Sequence, residues 1–216
     1  MKKKGFESDQ DKELKPQRVI LVGGFSELFE LCELCGYTVF GYVDSEKRND
    51  EYNYLGDDSV VLNHSEKYNE FPVIISPDNP QVRKELFDQY SKKGFKIISL
   101  ISPNAYISES AQIGEGCIIQ SFCNVSCNSI IGKGVRLNTY ANVMHDVSID
   151  DFSIIAPNAV ILGRCKIGRE TYIGGNATIL PNVSVGDGCI IGAAAVVTKN
   201  IKNGLKVCGN PAKEMK

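Results

Sequence analysis

Residues 143–167 read VMHDVSIDDFSIIAPNAVILGRCKI, and every sixth position in this stretch is aliphatic. The same step of six continues without a break from Ile101 to Val197. Four residues after each aliphatic the slot holds a small side chain, as at Ala159 and Cys165. Since residues two or four apart face the same side of a strand, both slots point into one narrow interior. The period predicts a parallel β-helix with three short faces and eighteen residues per turn.

Composition narrows the class of protein. The chain has 216 residues and a formal charge of -2, which leaves no basic surface for nucleic acid. The first seventeen residues, MKKKGFESDQDKELKPQ, contain lysines without an apolar run behind them. We therefore expect residues 1–17 to be a mobile tail, and the protein to be cytoplasmic without a membrane partner.

The eight cysteines do not indicate a metal or disulfide framework. Four of them, Cys117, Cys123, Cys165 and Cys189, occupy the small inward slot of the coil, where a thiol packs as an apolar group. The CxxC formed by Cys32 and Cys35 lies in a helix-like apolar stretch and lacks a second pair at zinc spacing. We expect structural cysteines and no metal site.

The first half of the chain has a different pattern. RVILVGG at 18–24 reads as a strand ending in a glycine turn, and SELFELCELCG after it has helical apolar spacing. TVFGYVDS at 38–45 and PVIISPD at 72–78 read as two more strands, and a helix from about residue 80 to 93 leads to the strand KIISLI. This order predicts an α/β Rossmann-like domain over 18–100, followed by the β-helix over 101–216.

Ligands of such sheets bind beyond the carboxyl ends of the strands, which points to Gly23, Gly24, Phe25, Asp44 and Ser76. Glycine amides can approach a phosphate, and a carboxylate after the second strand can accept a ribose hydroxyl. The turn GGFSEL lacks the spaced glycines of GxGxxG, so a plain packing turn stays an equal alternative. The domain is short for a dinucleotide, which argues against NAD.

His145 occupies a solvent-facing slot of the coil, two positions after the inward Val143. The corresponding slots of other repeats hold Glu115 and Lys133. A neutral imidazole at such a corner suits removal of a proton from an amine, although a surface histidine without a role is the plainer alternative. Gly163 follows one coil later and should stack on His145 at ~4.8 Å.

Small residues line a second corner. Gly175 and Ala193 stack one coil apart, which leaves a wall without side chains where an extended pantetheine arm could lie. Ordinary turn chemistry explains the same residues equally well.

The stretches LNTYANVMHDVSI, IIGAAAVVTKNI and the terminal GNPAKEM, behind a small α/β domain, resemble the bacterial nucleotide-sugar amino N-acetyltransferases and the related sialic acid O-acetyltransferases. The resemblance implies a left-handed coil and a homotrimer with active sites at subunit interfaces. It also implies that His145 is the general base, that Asp146 supports it, and that Asn138 lies near the sugar. Acetyl-CoA would then contact Gly163, Gly175, Ala193, Ala194 and Lys213.

The resemblance predicts transfer of acetyl from acetyl-CoA to the amino group of a sugar linked to UDP, GDP or dTDP, within polysaccharide biosynthesis.

Two features of this sequence depart from the family pattern. The first turn is GGFSEL where GASGHG-like turns are common, and Ile154 stands where members often carry a second histidine. Two alternatives stay open, a sialic acid O-acetyltransferase and a non-catalytic trimeric scaffold. Cys127, in an outward slot, is the exception among the coil cysteines, but we expect direct transfer without an acyl-cysteine.

Overall fold

The computed structural model describes residues 17–215, so the tail predicted for residues 1–17 lies, except for Gln17, outside the described residues. The first domain contains three strands and four helices in the order β1 (Arg18–Val22), α1 (Ser26–Leu34), β2 (Thr38–Val43), α2 (Asp58–Asn63), α3 (Ser65–Tyr68), β3 (Val73–Ile75) and α4 (Pro80–Lys92). All three strands are parallel, in the order β2-β1-β3. The carboxyl ends of the strands therefore meet at one edge.

Local sequence explains where these elements begin. The side chain of Asn79 accepts hydrogen bonds from the amides of Gln81 and Val82, and Pro80 occupies the first turn, so α4 starts there. Asp57 caps α2 in the same way through the Val60 amide. The sequence did not predict α2 and α3, which are only six and four residues long.

One prediction for this domain was correct only in part. KIISLI was predicted as the strand that leads into the coil, and its last two residues form one, but residues 96–99 make only an isolated bridge between Val73 and Ile97. Leu100 and Ile101 pair instead with the coil. The alternating contacts of this segment with two different sheets explain why an apolar run does not become one strand.

The coil begins at Leu100. Its strands contain two residues each and recur every six residues: β4 (Leu100–Ile101), β5 (Tyr106–Ile107), β6 (Gln112–Ile113), β7 (Ile118–Ile119), β8 (Asn124–Val125), β9 (Ile130–Ile131), β10 (Arg136–Leu137), β11 (Asn142–Val143), β12 (Ser148–Ile149), β13 (Ile154–Ile155), β14 (Val160–Ile161), β15 (Lys166–Ile167), β16 (Tyr172–Ile173), β17 (Thr178–Ile179), β18 (Ser184–Val185), β19 (Ile190–Ile191) and β20 (Val196–Val197). From β4 to β17, each strand pairs in parallel with the strand eighteen residues later, as Asn142 does with Val160. The predicted period is confirmed.

The strands form three faces of a prism. We call the sheet containing β4, β7, β10, β13, β16 and β19 the covered face, because the first domain lies against it. The open face contains β5, β8, β11, β14, β17 and β20, and the polar face contains β6, β9, β12, β15 and β18. Inward side chains such as Val143, Ile161 and Cys165 are fully buried and form one continuous core. The four cysteines predicted to face inward all belong to that core.

The coil extends one rung beyond the predicted end at Val197. β21 (Lys206–Cys208) adds to the covered face, and β22 (Lys213–Glu214) turns back antiparallel beside it. Ile201 also makes a bridge to Val185 of the polar face. This hairpin closes the open end of the prism.

Two buried arginines join the first domain to the covered face. The guanidinium of Arg83 in α4 donates to the carbonyl oxygens of Gly134 and Gly116 in the coil and of Ile75 in β3. Arg136 of β10 donates to the Ser76 carbonyl oxygen at 2.7 Å and pairs with Glu27 of α1 at 2.6 Å. Burial, together with nearby Arg136, lowers the pKa of Arg83 to about 9. The strand ends of the first domain are therefore held at a fixed position against the coil.

Candidate functional site

His145 and Asp146 lie at the corner between the open face and the polar face, which we call the His145 corner. The Nδ1 atom of His145 is 2.7 Å from Oδ2 of Asp146, and both side chains are nearly half exposed. Asn128, one coil earlier, donates to the other carboxylate oxygen at 3.2 Å. Hydrogen bonds from His145 and Asn128 lower the pKa of Asp146. A carboxylate on Nδ1 favours the tautomer with a free lone pair on Nε2, as a general base requires.

Gly163 is the next residue of the same corner, as its spacing predicted. A Cβ atom added to Gly163 would lie 2.6 Å from His145 Nε2 and 2.7 Å from Cε1, so the imidazole rests directly over this glycine. Within residues 17–215 the Gly163 amide N–H has no hydrogen-bond acceptor, whereas its carbonyl oxygen accepts from Asn182. The corner therefore presents a base and an unused amide donor beside each other.

Cys127 stacks on the opposite side of His145 in the same column. Its carbonyl oxygen accepts from the Asp146 amide at 3.0 Å, and its side chain is exposed. The imidazole leans toward Gly163 and thus away from Cys127. This arrangement is consistent with direct transfer, and the role of Cys127 stays a prediction.

Asn138 belongs to a different corner, between the covered face and the open face, which we call the Asn138 corner. Its side chain is buried, and Oδ1 accepts from Nε of Arg136 at 2.7 Å. Gln120, one coil earlier, contacts Glu27 of α1 and accepts from Thr139. Asn138 is therefore part of the junction with the first domain and does not approach His145 of its own chain.

The predicted pantetheine wall also follows the Asn138 corner. Gly175 and Ala193 are one coil apart there, and the amide of the next residue, Ala194, donates to the Gly175 carbonyl oxygen at 2.8 Å. Ala193 and Ala194 are exposed, and Lys213 lies in the closing hairpin beside the last rung. The structure thus groups these four residues at one end of the coil, and their contact with acetyl-CoA stays a prediction.

The residues predicted at the strand ends of the first domain lie together around one cleft. Gly23, Phe25 and Asp44 line it. Ser76 lies beneath, fully buried, and its hydroxyl donates to the Val22 carbonyl oxygen at 2.6 Å. The Gly23 amide donates to the Val43 carbonyl oxygen.

The carboxylate of Asp44 accepts a hydrogen bond from the amide of Gly24, the second glycine of the turn. Its Oδ2 accepts from Gly24 N–H at 2.8 Å and pairs with Arg48 Nε at 3.0 Å. Burial alone would raise the pKa of Asp44, but Gly24, Arg48 and Ser45 together hold that pKa below its usual value. Both glycine amides of GGFSEL are therefore satisfied within the chain, unlike those of a phosphate-cradling turn.

Two charged residues of the cleft were not predicted. Arg48 follows Asp44 by four residues, and Asp58 opens α2. Burial raises the pKa of Asp58, with Asp57 and Asp44 adding to the effect and a hydrogen bond from Tyr90 opposing it. Their position in the polar segment between β2 and β3 is the one sequence feature that could have indicated them.

The two corners border the open face on opposite sides. Its outward side chains include an apolar row formed by Met144, Leu162 and Leu180, all partly exposed. The corresponding row of the polar face contains Asp150 flanked by glycines such as Gly132 and Gly168. Among the described residues, none of the first domain packs on the open face.

Ile154, which stands where a second histidine was expected, lies in β13 of the covered face. It is fully buried between Arg136 and Tyr172 of the neighbouring rungs. It therefore lies away from the His145 corner of its own chain.

Over residues 17–215 no three His, Cys, Asp or Glu side chains cluster as metal ligands. The helices in this range are all too short or too polar to cross a lipid bilayer.

Known proteins share these features. The family model for bacterial transferase hexapeptide repeats matches residues 128–163 and 164–199. GDP-perosamine N-acetyltransferase of Escherichia coli is 38% identical over 144 residues, an alignment that covers 64% of this chain and just 65% of that relative's length. Perosamine N-acetyltransferase of Caulobacter crescentus, solved as a histidine-to-asparagine mutant with CoA and GDP-perosamine, has a TM-score of 0.86 and 25% identity, covering 92% of this chain and 96% of that one.

A second solved relative, the acetyltransferase domain of PglB from Neisseria gonorrhoeae in complex with acetyl coenzyme A, has a TM-score of 0.85 and 30% identity. The superposition covers 92% of this chain and 99% of that one. The fold and the corner histidine together define a hexapeptide-repeat transferase. Within that class, the chain belongs to the bacterial nucleotide-sugar amino N-acetyltransferase family. The predicted fold, a Rossmann-like domain followed by a left-handed β-helix, is confirmed.

Proposed function

We propose that this protein transfers the acetyl group of acetyl-CoA to the amino group of a nucleotide-linked amino sugar, with His145 as general base. The observation that carries the proposal is the His145 corner, where Asp146 fixes the imidazole at 2.7 Å and directs Nε2 over Gly163. The relatives crystallised with CoA, GDP-perosamine or acetyl coenzyme A support both substrates. A cytoplasmic location stays a prediction.

The proposed reaction is a direct transfer. The sugar amine attacks the thioester carbonyl carbon while Nε2 of His145 takes the amine proton. The Gly163 N–H, which has no acceptor within the described chain, donates to the oxyanion of the tetrahedral intermediate. Collapse breaks the carbon–sulfur bond, and the imidazolium returns its proton to the CoA thiolate. General-base catalysis of this kind contributes about 10²- to 10⁴-fold.

We further propose that the active site forms between two copies in a homotrimer. The covered face is occupied by the first domain, and the polar face presents polar residues and glycine apart from the exposed Ile130, whereas the open face presents the apolar row of Met144, Leu162 and Leu180. Closed rings of three copies would bury this face and bring each His145 corner against a neighbour's Asn138 corner. A nucleotide sugar bound to the first domain of one subunit would then reach the general base, His145, of the neighbouring subunit.

Thiol release from acetyl-CoA tests the activity. Wild type and His145→Ala are assayed against UDP-, GDP- and dTDP-linked 4-amino and 3-amino sugars. Activity with one amino sugar that falls by at least about 100-fold in His145→Ala supports the proposal. Thiol release with sialic acid alone would instead identify an O-acetyltransferase. No thiol release with any acceptor would favour the non-catalytic scaffold.

Subunit mixing tests the shared site. His145→Ala and Asp44→Ala are unfolded together and refolded as mixed assemblies, with each variant refolded alone as the control. If sites span two copies, about a quarter of the wild-type activity returns, because one site in four pairs an intact first domain with an intact histidine. Activity no higher than in the separate variants would show that each site lies within one chain.

The assembly itself has a matched pair of variants. Leu162→Asp places a charge in the apolar row of the open face, and Ser148→Asp places the same charge on the polar face. Light scattering should find monomers for Leu162→Asp and trimers for Ser148→Asp. Trimers for both would exclude the open face as the interface.

A further inference from the structure

The cleft at the strand ends of the first domain has a volume of about 200 Å³ and mainly apolar walls, to which Val43, Pro77, Val82 and Leu86 contribute. Such walls suit the flat faces of a nucleobase. Where they meet α2 the cleft contains one carboxylate, that of Asp58. Burying a carboxylate against apolar side chains is unfavourable unless a hydrogen-bond donor binds to it.

The hydrogen bonds of Asp58 leave part of its carboxylate available. Its Oδ1 accepts from the Tyr90 hydroxyl at 2.8 Å, which fixes the orientation of the carboxylate. Besides Tyr90, its only donor among residues 17–215 is the backbone amide of Asp58 itself, so the carboxylate keeps free acceptor capacity toward the cleft. Tyr90 is fully buried in α4, so the anchor is rigid. The other acidic residue of the cleft, Asp44, is by contrast saturated by Gly24, Ser45 and Arg48.

An ionised carboxylate accepts hydrogen bonds and donates none. The Watson–Crick edge of guanine presents two adjacent donors, the ring N1–H and the exocyclic amino group. Uracil and thymine present a single N–H between two carbonyl oxygens, which a carboxylate repels. A carboxylate at the end of a base-sized apolar cleft therefore discriminates in favour of guanine.

We propose that Asp58 reads the base of the nucleotide sugar and selects guanine over uracil and thymine. This inference rests on the proposed function, because it assumes that the cleft holds the nucleotide part of the substrate. Arg48, the cation that lines the same cleft, pairs with Asp44 at 3.0 Å. Guanine specificity thus depends on a residue outside the GGFSEL turn and outside the coil.

Calorimetric titration of the full chain with GDP, UDP, dTDP and IDP tests the inference without any acetyl transfer. Wild type should bind GDP at least about tenfold more tightly than UDP or dTDP, with IDP in between because hypoxanthine lacks the exocyclic amine. In Asp58→Asn the preference for GDP over UDP should disappear, since an amide can donate to a uracil carbonyl.

Asp57→Asn is the matched control. Asp57 is the adjacent carboxylate, it caps α2 through the Val60 amide, and it does not line the cleft. Asparagine caps helices equally well, so this variant should keep the wild-type ratio. If Asp58→Asn fails to fold, Tyr90→Phe removes the hydrogen bond that orients Asp58 and should lower the ratio at least severalfold.

Two results would overturn the inference: UDP or dTDP binding to wild type as tightly as GDP, or an unchanged ratio in the folded variants. Failure of the proposed function gives a different result. In that case GDP still binds selectively, but no amino sugar releases thiol from acetyl-CoA.

Discussion

The contact between His145 and Gly163 gives a direct test of the proposed base. In Gly163→Ala the new Cβ would lie 2.6 Å from Nε2, whereas ordinary contacts begin near 3.4 Å. The imidazole must therefore retreat by about 0.8 Å, or the backbone of the corner must yield. Since a displacement of about 1 Å in a reacting group costs about 10²-fold in rate, kcat should fall by about that factor.

Thiol release at saturating acetyl-CoA and amino sugar measures this effect. The loss corresponds to about 2.7 kcal/mol in the activation free energy, with KM for the amino sugar changed little because the cleft of the first domain is not altered. Gly188→Ala is the control, since its Cβ would enter open space at the corner between the polar and covered faces. Ala194 shows that alanine can adopt the same left-handed φ in this coil.

Two outcomes separate the explanations. A kcat within about threefold of wild type in Gly163→Ala would mean that the imidazole does not act from the observed position. An equal loss in Gly188→Ala would mean that added side chains disturb the coil generally. In either case the proposed geometry of catalysis would be refuted.

Three further predictions concern residues around this site and the junction. Asp146→Asn should lower kcat at least about tenfold in the same assay, because an amide nitrogen can face Nδ1 and release the imidazole; full activity would refute a supporting role for Asp146. Cys127→Ala should leave turnover unchanged, and a loss comparable to His145→Ala would indicate an acyl-cysteine. Arg83→Met should lower the free energy of unfolding in urea by about 3 kcal/mol or more, because three buried carbonyl oxygens lose their donor. An unchanged midpoint would show that these hydrogen bonds do not stabilise the junction.

The coil could be predicted from the sequence because its packing is encoded locally. Each inward slot is filled by a residue six positions from the next, so the period alone gives the register, including the position of Gly163 over His145. The residues at the strand ends of the first domain could also be predicted, because they directly follow their strands in sequence. Gly23, Gly24 and Asp44 follow β1 and β2, and parallel strands must end at one edge.

The junction could not be predicted because its contacts are distant in sequence. Arg83 bonds to Gly134 across 51 residues, and Arg136 to Ser76 across 60. No local pattern indicates which coil face the first domain covers. Without that knowledge Asn138 looks like an open corner residue, whereas it is buried against Arg136.

The exposure of His145 supports the proposal that a second copy completes the site. A general base and an amide donor are far more effective where water is excluded, yet this imidazole is 41% exposed in the single chain. The repeats run from Ile101 to Val197 without an inserted loop, so the coil has no lid of its own for the His145 corner. The first domain cannot supply one, because it is held against the covered face by Arg83 and Arg136. In the proposed trimer, the wall that completes the site is therefore the Asn138 corner of the neighbouring subunit.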